Sequence, residues 1–455
     1  MINARTFRMG GIHPEENKLT HDVATQVAAL PKQAIFPLSQ HIGKPAKPVV
    51  QKGDKVKVGT LIAEASGFVS APIHSSVSGT VFKIDTAIDA TGYRKPVIII
   101  NVEGDEWEET IDRSDKLETV EAHPELTPDE IVNRVKEAGV VGMGGACFPT
   151  FIKLTPPPTA KAECVIINAV ECEPYITADY RLIMEHADEI LVGTELLMKA
   201  AKVNKGYIGI ETNKPAAIEL LTKKCAEKFS ASTCHVEVVP LQQRYPQGGE
   251  KQLVDAVIQR QVPAPPAIPV NVGAIVQNVG TAFAVYEAVM KHKPLFERYT
   301  TVTGKRIQNP GNFLVRMGTP MQDLIDACGG MPEGDNKLLA GGPMMGKALT
   351  STEVPICKGT NSVTILSDEE ARRKEPQPCI RCAKCVGVCP MGLEPYLLAK
   401  LSEVHNWERA EDEKIVSCIE CGSCQFTCPA HRPLLDNIRL GKSTVMGIIR
   451  TRNAK

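Results

Sequence analysis

The chain has 455 residues, 43% apolar and 23% charged, an ordinary globular composition that excludes a disordered or fibrous protein. At roughly 100–200 residues per domain it holds about three or four domains. Its 52 Lys+Arg stand against 53 Asp+Glu, so the basic excess needed to track phosphates is missing and nucleic acid is not an expected partner.

The opening Met1-Ile2-Asn3-Ala4-Arg5-Thr6-Phe7-Arg8 has no continuous apolar run, so no secretory leader is expected and the cytoplasm is the expected compartment. To about residue 115 the chain is rich in Val, Ile, Gly and Pro. Short alternating runs such as Lys55–Val58 and Val97–Val102 predict short strands and tight turns. Gly53-Asp-Lys-Val-Lys-Val-Gly59, Glu64-Ala65, Ala71-Pro72 and Val77-Ser-Gly79-Thr-Val81 resemble the barrel-sandwich fold of biotinyl and lipoyl carriers. Those carriers attach their cofactor to a hairpin lysine, whereas this chain reads Glu64-Ala65-Ser66-Gly67-Phe68, so a structural or docking module is expected.

From Thr127 the pattern becomes helical. Thr127 suits the N-cap, Pro128 the first helical position and Asp129 and Glu130 the first turn, while Ile131, Val132, Val135 and Ala138 share a face before Gly139. Apolar strand candidates follow at Val165, Tyr207 and Val236, separated by helical stretches near 178–202 and 214–229. This alternation predicts a doubly wound parallel sheet, with ligands in loops beyond the carboxyl ends of the strands. The stretch from Ala267 to Met290 is the most apolar, but it carries Asn271, Gln277, Asn278 and Glu287; a buried strand and helix are expected rather than a membrane span.

Residues 291–355 turn strand-like again and predict a small β-rich domain. A charged linker after Asp368 then leads to the cysteines. The expected domains are 1–115, 116–290, 291–355 and 366–455.

Fifteen cysteines are too many for packing, yet their odd number and the chain length do not suit a disulfide scaffold. Seven are scattered (Cys147, Cys164, Cys172, Cys225, Cys234, Cys328, Cys357). The other eight form Cys379-x-x-Cys382-x-x-Cys385-x-x-x-Cys389-Pro390 and Cys418-x-x-Cys421-x-x-Cys424-x-x-x-Cys428-Pro429. In this bacterial frame three thiolates serve one [4Fe–4S] cubane and the fourth reaches another. The expected sets are therefore Cys379, Cys382, Cys385 and Cys428 for one cluster, and Cys418, Cys421, Cys424 and Cys389 for the other. Zinc knuckles and redox dithiols are the plainer alternatives, and two copies of the frame argue against both.

Gly139-Val-Val-Gly142-Met-Gly144-Gly145-Ala-Cys-Phe148-Pro149-Thr150 follows the capped helix. A glycine-rich turn lets backbone N–H groups approach phosphate, though an ordinary turn has the same composition. Its companions are Asn168-Ala-Val-Glu171-Cys-Glu173-Pro174-Tyr175, Tyr245-Pro-Gln-Gly248-Gly249-Glu250-Lys251, and Asn278-Val-Gly280-Thr281. With Lys153, these motifs resemble, in the same order, the FMN- and NADH-binding flavoprotein subunit of respiratory complex I. The resemblance implies that Gly142, Gly144, Gly145 and Lys153 hold the flavin phosphate and the dinucleotide. It implies that Asn168, Glu171, Glu173, Asn278 and Thr281 line the isoalloxazine and ribityl chain, and that Gly249 and Glu250 shape the nicotinamide side. This chain departs from that family at Met143, where it has arginine, and at Gly249, where it has glutamate. For the acidic turn the plain alternative is a solvated loop.

The whole chain is similar to the C-subunit family of Rnf ion-translocating electron transport complexes. That family has a barrel-sandwich module, a Rossmann-like flavoprotein domain, an SLBB β-grasp domain and a helical two-cluster ferredoxin domain. Phe7-Arg-Met-Gly10-Gly11-Ile12-His13-Pro14 also resembles its opening motif, in which His13 is expected to be a buried or capping histidine. The resemblance implies FMN, NAD(H) and two [4Fe–4S] clusters. It further implies membrane partners that move Na⁺ or H⁺, with electron exchange with ferredoxin, and a peripheral place on the cytoplasmic side of the bacterial membrane. Two other readings stay open: the NADH-binding subunit of a soluble bifurcating dehydrogenase or hydrogenase, and a non-catalytic cluster scaffold.

Overall fold

A computed structural model of the chain describes residues 3–230 and 232–453. Met1 and Ile2 of the opening octapeptide lie outside the described residues. The first domain packs two small sheets face to face. One is ordered Gln33–Pro37, Arg94–Gly104, Ser78–Ile88, Lys55–Val56, and the other Lys47–Pro48, Leu61–Glu64, Ile73–His74. Alternating residues of the strands close a core of Phe36, Ile62, Ile73, Val81, Ile98 and Ile100. Phe68 stands 79% exposed at the tip where a carrier would present its lysine.

The amino-terminal residues leave this domain. Arg5 bridges Leu241 in parallel and Ile12 bridges Tyr245 antiparallel, both in the second domain. Gln26–Val27 then forms the edge strand of the third domain's sheet.

The second domain holds an all-parallel sheet ordered His235–Leu241, Lys205–Glu211, Cys164–Asn168, Ala274–Asn278. Its helices cover both faces because the strand residues alternate. Val165 and Ile167 join one core, with Leu191, Leu196 and Val285, while Cys164 and Ile166 join another, with Leu253 and Val254. Thr127 accepts from the Glu130 N–H and starts helix Pro128–Glu137. The helical stretch expected at 178–202 is two helices, Ala178–Glu185 and Ala187–Ala200, broken at His186, whose backbone is not helical. At Gly193 an added Cβ would stand 1.9 Å from the Ala282 carbonyl oxygen, so only glycine lets helix Val279–Met290 lie this close. The apolar stretch from Ala267 becomes a 3₁₀ turn, a strand and that helix, and no helix among the described residues is long and apolar enough to cross a membrane.

The third domain is built on a mixed six-stranded sheet: Gln26–Val27, Gly311–Arg316, Glu297–Thr303, Ser362–Ser367, Asn336–Ala340, Lys347–Ala348. Strand Ser362–Ser367 lies beyond residue 355 yet is central, pairing with Glu297–Thr303 on one side and Asn336–Ala340 on the other.

The fourth domain repeats one unit. Each cysteine frame contains a single helical turn, Lys384–Gly387 or Ser423–Phe426, and is followed by a longer helix, Pro395–Glu403 or Leu434–Asn453. The copies share a core of Leu398, Leu401, Ile415, Leu434 and Ile438.

Candidate functional site

The strand order sets the position of the site. After Cys164–Asn168 the chain adds two strands on one side and then returns to place Ala274–Asn278 on the other, which creates a switch point between them. Ligands of open α/β sheets bind in that crevice, outside the carboxyl ends of the strands. The last residues of the two flanking strands are Asn168 and Asn278, paired across the ladder.

Asn278 caps helix Val279–Met290: its Oδ1 accepts from the Gly280 N–H at 2.8 Å, and its Nδ2 donates to Asp179 Oδ2 at 2.7 Å. Thr281 Oγ1 accepts from the Met143 N–H at 2.9 Å, which ties the glycine loop to the same helix start. The loop closes on itself, Gly142 N–H donating to the Phe148 carbonyl at 2.8 Å. An added Cβ on Gly144 would lie 3.2 Å from the Asn278 Cβ, whereas Gly145, at φ +147°, faces open space. Backbone N–H groups of a loop and of a twelve-residue helix thus meet at one crevice, a setting suited to an anion such as a flavin phosphate.

Across the crevice, Asn168 Nδ2 donates to the Gly248 carbonyl at 2.8 Å and fixes the loop whose Gly249 begins helix Glu250–Ile258. Lys153 and Glu250 pair at 2.6 Å, and the Lys153 ammonium also donates to the Val276 carbonyl. A phosphate reaching Lys153 would exchange with this carboxylate. The Gly249 Cβ position is 2.5 Å from Gln252 Oε1, so a glutamate there would require Gln252 to move.

The acidic turn is half-buried and hydrogen-bonded, unlike a solvated loop. Glu171, at φ +47°, accepts from the Asp179 and Tyr180 N–H groups at 2.7 and 3.3 Å and so caps helix Ala178–Glu185. Glu173 accepts from the Met344 and Met345 N–H groups at 3.2 and 2.7 Å, fastening the third domain. Burial pushes both carboxyl groups up to about 7. Their oxygens are engaged with backbone N–H groups rather than held free toward the crevice. Sequence reasoning missed Lys18, whose ammonium donates to the carbonyls of Glu171, Glu173 and Ile176 at 2.8, 2.8 and 2.6 Å. It also missed Asp179, the partner of Asn278; no local motif marks either residue.

The two cysteine frames have the same backbone. Arg381 and Glu420, Ala383 and Gly422, and Gly392 and His431 occupy matching positions, and all six have positive φ. These turns point N–H groups inward: Glu420 N–H donates to Cys418 Sγ and Leu393 N–H to Cys389 Sγ, each at 3.4 Å. Burial raises the Cys424 thiol most, and the neighbouring Cys421, Cys418 and Cys389 raise it further. Burial pushes Cys418 up to about 11, with Cys421 and Cys389 again adding to it. Cys385 is raised by burial and then by Cys428. Cys389 therefore neighbours the other frame's three thiols, and Cys428 lies beside Cys385. Among the described residues no three His, Cys, Asp or Glu side chains are arranged to hold a single metal ion. A cubane takes one thiolate per iron around a wider body, so the two thiol groups and their N–H donors suit [4Fe–4S] better than zinc.

The second frame and the carboxyl end of the first, Val388–Pro390, sit against the second domain and the amino-terminal residues. Tyr245 O–H donates to the Cys421 carbonyl at 2.8 Å, Gly11 N–H to the Val388 carbonyl at 2.9 Å, and Gln252 Nε2 to the Pro390 carbonyl at 3.3 Å. Ile12 packs on Tyr245 and Cys421. His13, expected to be buried or capping, is exposed, with Nδ1 3.0 Å from the Gln243 carbonyl oxygen, because Ile12 and not His13 points into the interface.

Four family models match the chain: "RnfC Barrel sandwich hybrid domain" over residues 6–105, "Nuo51 FMN-binding domain" over 135–287, "SLBB domain" over 299–348 and "4Fe-4S dicluster domain" over 371–429. The C subunit of the Na(+)-translocating ferredoxin:NAD(+) oxidoreductase complex of Acetobacterium woodii is 42% identical, over 97% of both chains. Its proton-translocating counterpart in Clostridium ljungdahlii is also 42% identical, over 96% of this chain and 94% of its own. The C subunit of the ion-translocating oxidoreductase complex of Rhodobacter capsulatus is 40% identical, over 95% and 82%. The match runs through all four domains, and the chain belongs to the family of C subunits of Rnf ion-translocating oxidoreductase complexes.

Proposed function

We propose that this chain is the NAD-reactive subunit of a membrane redox pump, passing electrons between NAD(H) and ferredoxin-linked membrane subunits while its partners move Na⁺ or H⁺. The names of its relatives support the reaction class, and the FMN-binding and dicluster family matches support the cofactors. The observation that carries the reading is the hydrogen bond from Tyr245 to the Cys421 carbonyl. It joins the loop that opens helix Glu250–Ile258 directly to a buried cysteine frame.

When bound, FMN supplies the change between paired electrons delivered as hydride and single electrons accepted by iron–sulfur centres. The chain's own residues supply position. The flavin phosphate would meet the N–H groups of Gly144 and Gly145, because those of Gly142, Met143 and Gly280 are already used in holding the loop and the helix start together. Asn168 and Asn278, at the switch point, would lie beside the flavin, and Lys153 and Glu250 beside the dinucleotide. Cys379, Cys382, Cys385 and Cys428 would hold one cluster, and Cys418, Cys421, Cys424 and Cys389 the other, nearer the crevice. We place the domain borders near residues 115 and 290 and after strand Ser362–Ser367, with the amino-terminal strap lying across the second and fourth domains. Attachment is peripheral, on the cytoplasmic face. Anaerobic purification should yield about eight iron and eight sulfide per chain with non-covalent FMN that NADH bleaches. Stoichiometric zinc, or protein without flavin, would end this reading.

A further inference from the structure

Two frames with one backbone are surrounded very differently. Cys421, Cys424 and Cys389 are buried, and the frame of Cys418 rests on the second domain. Cys379 and Cys382 are exposed. Between them Ile380 is 67% exposed, while its counterpart Ile419 packs against Ile12, Tyr245 and Cys421.

Charge differs in the same way. At one matching position the inner frame has Glu420, paired with Lys442 at 2.8 Å and Arg439 at 3.3 Å, and the outer frame has Arg381. At another, buried Ser423 corresponds to exposed Lys384. The segment from Arg372 to Lys384 carries five cations and a single acid, Glu375. Arg372 and Arg373 pair with Asp368 and Asp436. Among the described residues Lys374, Arg381 and Lys384 have no carboxylate at ion-pair distance, and Glu394 is the nearest acid following the frame in sequence. An exposed apolar side chain with unpaired cations close to it in sequence suits a docking face, with the apolar anchor giving affinity and the cations selecting charge.

Resting on the functional reading above, we infer that the face around Ile380 docks an acidic protein carrying its own one-electron centre. Exposed Cys379 and Cys382 bring the outer site to the surface, so exchange needs no opening of the fold. Each encounter passes one electron and makes or breaks no bond. The partner's centre is oxidised by one electron as this chain is reduced, or the reverse. The buried frame faces the crevice, and the exposed frame faces this partner.

The test is site-specific photo-cross-linking from Ile380→p-benzoylphenylalanine in the assembled membrane complex, with peptide mapping and with iron measured in every variant. The expected product joins position 380 to a polypeptide that has a net negative charge and carries a one-electron redox centre. Arg381→Glu with Lys384→Glu should lower its yield at least tenfold at about 50 mM salt, and about 0.5 M salt should do the same to the chain with native charges. Cross-links to lipid, to a second copy of this chain or to a polypeptide without a one-electron redox centre would overturn the inference. So would no cross-link, or a yield indifferent to charge reversal. A chain lacking iron would instead fail the functional reading, so the two failures are distinguishable.

Discussion

Lys293→Met tests the charge that fastens the second domain to the third. The Lys293 ammonium pairs with Glu287, on helix Val279–Met290, and with Glu297 at 2.5 Å, the first residue of strand Glu297–Thr303. Arg316 also reaches Glu297, at 3.1 Å, but Glu287 has no other close cation in this group. Methionine keeps the length of the side chain and removes its charge, leaving two carboxylates that are each at most 16% exposed. Removing one partner of a buried pair costs about 3–5 kcal/mol. For a unit of about 200 residues this lowers the unfolding midpoint by about 6–20 °C. The pH dependence has a defined sign. Burial already raises Glu287 above the usual carboxylate range while Lys293 holds it down. Without Lys293 the folded state retains a proton that the unfolded state has released, so stability falls as pH rises, and the deficit should be larger at pH 8 than at pH 5. Trp107 is a local reporter, packing edge-on to Phe296 at 5.4 Å, and Trp407 is the only other tryptophan. Its emission in thermal unfolding of anaerobic protein, on a Trp407→Phe background, reads the joint directly. A midpoint loss below about 2 °C, or a deficit that does not grow with pH, would refute the reasoning.

Cys389→Ser should erase the paramagnetic signal assigned through Cys418→Ser and remove about four of the eight iron, and Cys428→Ser should erase the signal assigned through Cys379→Ser. Loss of the Cys379-type signal in the Cys389 variant would show that each frame binds its own fourth thiolate. Gly144→Val puts branched methyl groups where a lone Cβ already lies 3.2 Å from Asn278, so bound FMN should be lost while cluster iron stays; flavin extraction and iron assay check both. Glu173 titrates near 7 because it is buried, so stability should fall as pH rises from about 4.5 to about 7 and level off above it. Glu173→Gln keeps an oxygen for the Met344 and Met345 N–H groups and should make that slope shallower, leaving the share of Glu171, which melting midpoints across pH 4.5–8 would show.

The features that were legible in the sequence have short-range causes. Thr127 caps its helix through a contact three residues away, and the cysteine frames are written within eleven residues, so spacing alone disclosed them. The strand–helix alternation located the parallel sheet, and the flanking asparagines fell at its switch point. What stayed hidden depends on residues far apart in sequence. Lys18 serves carbonyls more than 150 residues away, and Glu173 serves a loop of the third domain. Periodicity could not show that the edge strand Gln26–Val27 belongs to that domain, since two residues carry no pattern. The break at His186 was equally silent, because the apolar periodicity continues through it.

The amino-terminal strap also bears on how the protein is made. Its hydrogen bond from Gly11 ends on Val388, roughly 380 residues further along the chain. At about 5–20 residues per second, that acceptor leaves the ribosome some 20–75 s after the strap does. The first three domains can therefore fold, and the flavin crevice can form, while Gly10 and Gly11 still lack their final partner. An added Cβ on Gly10 would stand 2.5 Å from the Cys389 carbonyl carbon, so the strap closes against backbone next to a cluster ligand. Its docking is among the last steps of maturation, and it reports that the carboxyl-terminal domain has arrived.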